Sequence, residues 1–583
     1  MEKKYTWAIE DIFCSDEEFY KTFGEVEKKL DFSEFYGKLD TAEKFLECAK
    51  REEEISRVME RLGEYAMMKR DKNALDSTAD TMYSKVVALS STFASNTAFI
   101  VPELSALSEE VLQDYANNPI LADYDYFIKT ILKDKAHILS EKEEKMLAEG
   151  SQTFSTFKDI FAKIDNADLP LKPFRYRLKK RPLSHGTYSV YMHSGDRQLR
   201  KKAFKNYYLA FTGLINTIST TYFGNVKKNV FLAKTRKFDS SLDKALSGED
   251  VTRNVYDNLL QCVNDSLGSL HEYMQVRKQI LGYKKMYMYD IYVPLVKNAE
   301  LKLSYDEAYE KVIEGLAPLG EEYAQLLRKA KDERWIDVYE SKGKRSGAYS
   351  TCSYDTHPYV LLNYQPTTHD VFTIAHEMGH SIHSYFSNRS QPYSKAYYTI
   401  FVAEVASTVN EVLLLKHLLN TATDKKLKKY LLSYLMEMIR TTLFRQTQFA
   451  EFEEWAHRSV EEGTPLSKDN MCEKYLSLNK KYYGDAVESE GEIQYEWARI
   501  PHFYNAFYVY KYATGITSAL AIADRILTEG KPAIDDYFKF LSSGGSDSPV
   551  ELLKIAGVDL TDKKPFESAM KTFDSALKEF KKL

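Results

Sequence analysis

The chain has 583 residues, 44% of them hydrophobic and 28% charged, with a formal net charge of −5 and a pI of about 6.3. That balance describes a soluble globular protein large enough for several domains, and it argues against nucleic acid or an anionic membrane as the main partner. The five cysteines (Cys14, Cys48, Cys262, Cys352 and Cys472) are scattered and form no C-x-x-C pair, so the expected compartment is a reducing cytoplasm and not a disulfide-forming one.

The opening residues, MEKKYTWAIEDIFCSDEEF, lack the apolar core of a secretory signal. No run approaches the ~18 consecutive apolar residues of a membrane-spanning helix. Residues 40–72 carry Phe45, Ile55, Val58, Leu62 and Tyr65 at helical spacing between charges. Similar patterns predict helices over 84–112, 140–162, 196–233, 251–281, 304–331, 426–462 and 503–527. Only 24 Gly and 15 Pro interrupt the chain, too few for the turn rhythm of a β-sandwich. Strand-like pieces cluster at 346–353 and 359–364. The softest boundary lies near 165–195, where Pro170, Pro182 and Gly186 break the helical pattern. The expected fold is mostly α, with residues 1–190 as an N-terminal helical lobe and 191–583 as a second part that sets a small β-sheet beside the helix that follows it.

That helix is marked by His376-Glu377-Met378-Gly379-His380, which follows the mostly apolar run Val371-Phe372-Thr373-Ile374-Ala375. Two histidines four residues apart project from one helical face and can reach one ion. The glutamate between them lies beside such an ion, placed to take a proton from a metal-bound water. Gly379 is a poor helix former, by about 1 kcal/mol relative to Ala, which suggests close packing against another backbone. Catalytic zinc usually takes three protein ligands and leaves a position for water. A third histidine six residues past the second is ruled out, because that position is Phe386. His383 shares the helical face but points further along the axis; a packed or hydrogen-bonded histidine is the plainer assignment, with ligation the alternative. The remaining scheme takes a carboxylate from a later helix, and Glu404 in the apolar stretch 401–411 supplies it. Glu411, two turns on along the same face, is either an acceptor for a ligand histidine's N–H or an ordinary exposed helix charge.

H-E-M-G-H followed some two dozen residues later by F-V-A-E-V-A-S resembles the M3 family of zinc metallopeptidases, in its oligoendopeptidase F branch. Further stretches agree in order: 277–295 (RKQILGYKKMYMYDIYVPL), 344–350 (KRSGAYS), 357–364 (HPYVLLNY), 444–453 (FRQTQFAEFE), 499–515 (RIPHFYNAFYVYKYATG) and 541–559 (LSSGGSDSPVELLKIAGVD). The resemblance spans roughly residues 190 to 570, and more loosely the N-terminal part. It implies a large two-lobed helical peptidase enclosing a deep substrate channel, with oligopeptides as substrates and internal cleavage. It also implies that a histidine and a tyrosine bind the transition state, roles that fall on His502 and Tyr512, with Tyr508 next. Tyr504, Tyr508 and Tyr512 recur every four residues and so share a face if the segment is helical. Without the resemblance, a tyrosine stripe in a chain with 43 Tyr is more often core.

An extended substrate can add to a sheet edge through main-chain hydrogen bonds. Gly347 and Ala348 are small residues where its backbone would approach, with 357–364 pairing behind them. His357 either contacts substrate or makes a structural hydrogen bond at a strand start. Arg389, Lys395 and Arg499 are candidates for a peptide carboxylate, though scattered basic residues are usually just solvated. The expected activity is thus zinc-dependent endopeptidase action on short unstructured peptides by Glu377-assisted attack of a zinc-bound water, with one Zn2+ per chain. Two alternatives stand beside it. One is a helical zinc carboxypeptidase with a closed channel end; the other is a non-catalytic peptide-binding protein, disfavoured by the intact acid/base Glu377.

Overall fold

The computed structural model describes residues 2–297 and 299–583. Helix starts follow the caps written in the sequence. Thr41, Asp76, Ser108, Ser184, Asp196, Ser304, Thr367 and Asp424 each accept a backbone N–H from the first turn that follows them. The helix expected over 40–72 forms as Ala42–Lys72. Several longer expectations divide. The 196–233 segment forms Arg197–Gly213 and Ile215–Thr235, broken at Leu214. The 251–281 segment forms Arg253–Asp265 and Leu267–Ile280, and 304–331 divides at Gly320 (φ +90°). Within 426–462, a π-turn at Arg440–Phe444 joins Lys425–Ile439 to Arg445–Glu461. Apolar spacing persists across such breaks, so periodicity alone does not reveal them.

The chain builds two compact units, each from three stretches. The first holds Met1–Ile138, Leu301–Asn420 and Ile522–Val558; the second holds Leu139–Glu300, Thr421–Ala521 and Asp559–Leu583. The units interleave along the sequence, and the turn-rich segment near residue 190 lies within the second.

The first unit carries a three-stranded sheet. Tyr359–Leu361 is its centre, parallel to Ile336–Asp337 and antiparallel to Tyr349–Thr351. Tyr349 pairs with Leu361 and Thr351 with Tyr359, so Tyr349–Thr351 forms an edge. Both strands anticipated from sequence are present in shortened form; the two-residue strand Ile336–Asp337 is too short to carry an alternation. Tyr359 and Leu361 point into a core built with Trp7, Phe13, Phe19, Phe45, Leu62 and Tyr65 from the N-terminal segments. The helix Ala42–Lys72 also ties down both ends of the edge strand. Asp71 accepts from Arg345 Nη1 at 2.9 Å and from Tyr349 Oη at 3.2 Å, while buried Glu64 accepts from the Ser353 N–H at 3.1 Å and from Thr356 Oγ1 at 3.0 Å.

Next comes the histidine helix, Thr368–Ser390, which buries Val371, Phe372, Ile374, Ala375, Met378 and Ile382. The carboxylate helix, Ile400–Thr421, crosses it at Gly379. A Cβ on Gly379 would sit 2.5 Å from Ser407 Cα and 2.8 Å from the Ala406 carbonyl oxygen, so the two backbones are in contact. The crossing is pinned by Asn410, fully buried, which donates to the Ala375 carbonyl at 3.0 Å and accepts from Tyr323 Oη at 2.9 Å. The connection between the helices is clamped as well. Gly545 N donates to the Lys395 carbonyl at 2.7 Å, Ser387 Oγ donates to the Ala396 carbonyl, and a Cβ on Gly544 or Gly545 would strike this segment's carbonyls.

The second unit is helical, with an antiparallel hairpin (Phe174–Tyr176 with Lys179–Arg181) and a short parallel pair (Met286–Tyr287 with Val487–Glu488). It sets three carboxylates against paired arginines: buried Asp290 with Arg197 and Arg200, half-buried Glu437 with Arg277 and Arg440, and buried Glu496 with Arg445 and Arg499. Among the described residues, no helix is long and apolar enough to cross a membrane.

The contact at Gly379 gives a stability prediction. Gly379→Ala gains about 1 kcal/mol of helix propensity. Overpacking against Ser407 outweighs it, for a net loss of about 1–3 kcal/mol in denaturant unfolding. An alanine variant as stable as the parent would show that the two backbones are not in contact.

Candidate metal centre and active site

The helix crossing turns three side chains towards one point. His376 Nε2 and His380 Nε2 lie 3.2 Å apart, and Glu404 Oε2 lies 3.5 Å from the first and 3.8 Å from the second. Among the described residues these three form the group of ligand-type atoms close enough to hold a metal ion. A tetrahedral zinc site with bonds near 2.1 Å has donor–donor edges of about 3.4 Å, so this spacing and this N, N, O donor set fit zinc. Two imidazole nitrogens facing each other at 3.2 Å also need a cation or a proton between their lone pairs.

Outer contacts fix both rings. Glu411 Oε1 lies 2.6 Å from His376 Nδ1, which orients the ring and leaves Nε2 facing the site. Of the two assignments open for Glu411, the structure shows the acceptor. The Ala403 backbone hydrogen-bonds the His380 ring. Burial works against charge on both histidines. At His376 the Glu411 hydrogen bond and the surrounding carboxylates overcome it and lift the group to about 9, whereas burial and the His376 charge push His380 down to about 3.

Glu377 is buried on the inner side of the same helix, at 7% exposure. Burial raises it to about 7, with the His376 charge and a hydrogen bond from the Ser350 backbone pulling the other way. That last contact sets the edge strand beside the carboxyl. Ser350 Oγ and Ser381 Oγ are 2.9 Å apart, and Ser381 Oγ donates to the Glu377 carbonyl at 2.9 Å, so strand and helix are joined at this point. Gly347 is exposed, and a side chain built there would meet nothing within 4 Å; Ala348 beside it is half-buried.

His383 lies outside the donor group. It is fully buried, stacked on Tyr398 at 3.7 Å and 9°, and burial pushes it down to about 3. The packed assignment describes it. His357 stacks on Trp335, with Nδ1 2.8 Å from the Pro358 carbonyl and Nε2 3.3 Å from Asp11 Oδ2, so both nitrogens have protein partners. Lys395 is paired with Asp125 at 2.6 Å and Arg499 with Glu496 at 2.8 Å, while Arg389 is exposed.

His502, Tyr504, Tyr508 and Tyr512 belong to the second unit. The continuous helix expected over 503–527 is corrected here: Pro501 opens a short 3-10 turn ending at Tyr504, Phe507 adopts φ +52°, and the helix begins only at Tyr510. The three tyrosines therefore do not share a helical face. Tyr504 turns into the core and stacks on Phe161 at 4.4 Å. Tyr508 and Tyr512 still meet His502: ring centroids are 5.8 Å apart for both pairs, and Tyr512 Oη lies 3.4 Å from His502 Nε2. Burial lowers the His502 pKa, favouring the neutral ring.

Asn410, Tyr398 and Tyr323 were not singled out in the sequence, because buried polar and aromatic residues on apolar helices carry no spacing signal. The ligand assignment predicts that Glu404→Ala weakens zinc binding in chelator competition. Glu411→Ala should weaken it by about 10–100-fold through the freed His376 ring. Parental affinity in Glu404→Ala would remove that residue from the ligand set.

The chain is similar to known proteins over nearly its whole length. A family model described as peptidase family M3 matches residues 190–572, and one described as oligopeptidase F matches residues 103–170. The oligopeptidase PepF of Bacillus subtilis is 42% identical over 99% of this chain and 87% of its own length. An oligoendopeptidase F homolog of Borreliella burgdorferi is 39% identical over 99% of this chain and 98% of its own. Among solved structures, a peptidase from Chlamydophila abortus aligns with a TM-score of 0.93 at 33% identity, covering 100% of this chain and 98% of that one. Oligoendopeptidase-F from Enterococcus faecium aligns at 0.75 and 34%, covering 97% and 98%. The chain belongs to peptidase family M3, in its oligoendopeptidase F branch, and is a metalloendopeptidase.

Proposed function

We propose that this chain is a zinc-dependent oligoendopeptidase of the cytoplasm that cleaves internal bonds of short unstructured peptides, with one zinc ion held by His376, His380 and Glu404. The observation that carries it is the convergence of three donor atoms at 3.2, 3.5 and 3.8 Å beside a buried carboxyl that is not one of them. The oligopeptidase and oligoendopeptidase names of the relatives support the substrate class. Five cysteines without a disulfide support the compartment.

Zinc bound there supplies a Lewis acid and acidifies a water. Glu377 accepts a proton as water attacks the scissile carbonyl and delivers it to the leaving amine nitrogen. Burial favours protonation of the Glu377 carboxyl, which makes it a better proton acceptor than an ordinary surface carboxylate. The exposed side of Tyr349–Thr351 offers main-chain groups to an extended peptide, and Gly347 and Ala348 keep the approach open. Neutral His502 and Tyr512 are donors for the oxyanion, and Tyr508 steadies the His502 ring.

Glu377→Gln is expected to retain zinc and lower kcat by about 10²–10⁴-fold. A fluorogenic peptide blocked at both ends tests the endopeptidase assignment. Internal cleavage abolished by a chelator and restored by zinc is the expected result. Turnover only of peptides with a free terminus, or full activity in Glu377→Gln, would overturn it.

A further inference from the structure

Next to the His502–Tyr508–Tyr512 cluster, the helix Arg445–Glu461 buries a carboxyl that the mechanism above does not use. Glu453 is fully buried, and its Oε1 accepts from the backbone N–H of Phe507 at 2.7 Å. Phe507 is a bulky residue in the left-handed region, a conformation that persists only when its surroundings impose it. Its ring lies against His457, one helical turn beyond Glu453, at a centroid distance of 4.6 Å. His457 is fixed in turn, with Nδ1 2.8 Å from the Glu453 carbonyl and Nε2 3.0 Å from Asn229 Nδ2. One helix turn thus holds both the amide and the ring of the residue at which the chain bends. Tyr508 follows directly, and Tyr512 lies in the first turn of the helix that begins at Tyr510.

We infer that Glu453 is a positioning residue for the transition-state donors: by holding the Phe507 amide it fixes the bend that delivers Tyr508 and Tyr512 against His502. This inference rests on the role given to His502 and Tyr512 above.

The chemistry around the carboxyl supports the assignment. Burial, opposed by the Phe507 amide and Lys511, pushes Glu453 up to about 8, so it is largely a neutral acid at pH 7. Lys511 itself is ion-paired with Glu249. The second carboxyl oxygen has no protein hydrogen-bond partner among the described residues; neither do the hydroxyls of Tyr222 and Tyr504, whose rings meet at 6.0 Å. Burial and then the Glu453 charge raise Tyr222, which places it within the field of this carboxyl. A neutral acid keeps its carbonyl for the Phe507 amide and has an O–H to give. Glutamine reproduces that pattern, whereas leucine keeps the volume and loses the acceptor.

The test is steady-state kinetics of the zinc-loaded full chain on a doubly blocked fluorogenic peptide. Glu453→Leu should lower kcat by about 10–100-fold with KM within about twofold, the loss expected when catalytic groups are misplaced by an ångström or less. Glu453→Gln should restore kcat to within about threefold. In a Tyr512→Phe background, Glu453→Leu should cost clearly less than it does alone, because part of its effect runs through Tyr512. If Glu453→Leu does not fold, Glu453→Asp, which withdraws the acceptor from the amide by one carbon–carbon bond, takes its place. Parental kcat in the Leu or Asp variant beside an impaired Tyr512→Phe overturns this inference alone, as does a loss that multiplies fully with Tyr512→Phe. Parental kcat in Tyr512→Phe removes the role on which it rests and overturns both.

Discussion

The approach of two helix backbones at Gly379 governs the geometry of the candidate metal centre. His376 and His380 are set by helical spacing alone, but Glu404 and Glu411 lie on another helix and reach the histidines only if that helix comes close. The contact of Gly379 with Ser407 provides the closeness, and Asn410 fixes how far along the axes the helices meet. Glu404 lies three residues before Ser407 and Glu411 four after, so one point of contact sends one carboxylate to the Nε2 side of His376 and the other to its Nδ1 side. A slip of one residue at the crossing would lose both together.

Buried and half-buried carboxylates are treated in two ways in this protein. In the second unit, Asp290, Glu437 and Glu496 each face two arginines, a permanent charge that holds Glu437 and Glu496 near 2 despite burial. Such groups are fixed parts of the scaffold. In the first unit, Glu377, Glu404 and Glu411 gather around two histidines, and no arginine or lysine is paired with any of them among the described residues. A charge has to arrive there from outside, as a proton or as a metal ion. The missing permanent cation distinguishes this cluster from the arginine-paired ones more sharply than burial does, since each kind mixes buried and half-buried carboxylates.

The sequence made the histidine helix legible because its signal is local. A pentapeptide of His, Glu and His fixes its own geometry once helical, and Glu404 follows as the carboxylate in an otherwise apolar stretch. Gly379 was informative for the same reason, as an unfavourable residue in a strong helix. What stayed hidden depends on distant segments. The strand Ile336–Asp337 exists only through its pairing with Tyr359–Leu361. The division at Leu214 and the π-turn at Arg440 leave apolar spacing intact. The turn-rich segment near residue 190 separates the stretches matched by the two family models, yet the compact units interleave across it.

The tyrosine segment shows how a periodic pattern misleads where backbone strain intervenes. Tyr504, Tyr508 and Tyr512 are spaced for one helical face, and a helix would have aligned all three. The left-handed Phe507 stops that helix and splits the set: Tyr504, before the bend, becomes core, while Tyr508 and Tyr512, both after it, converge on His502. A continuous helix would carry Tyr508 and Tyr512 as stacked neighbours with rings directed alike. The bend instead lets them meet edge to face, 5.4 Å apart at 79°, with His502 against both. That geometry requires an unfavourable backbone conformation at a bulky residue, and the acceptor for its amide comes from a carboxyl some fifty positions earlier in the chain. No local pattern announces such a pairing; the signal left in the sequence is a glutamate in the aromatic run 444–453, one turn ahead of a histidine.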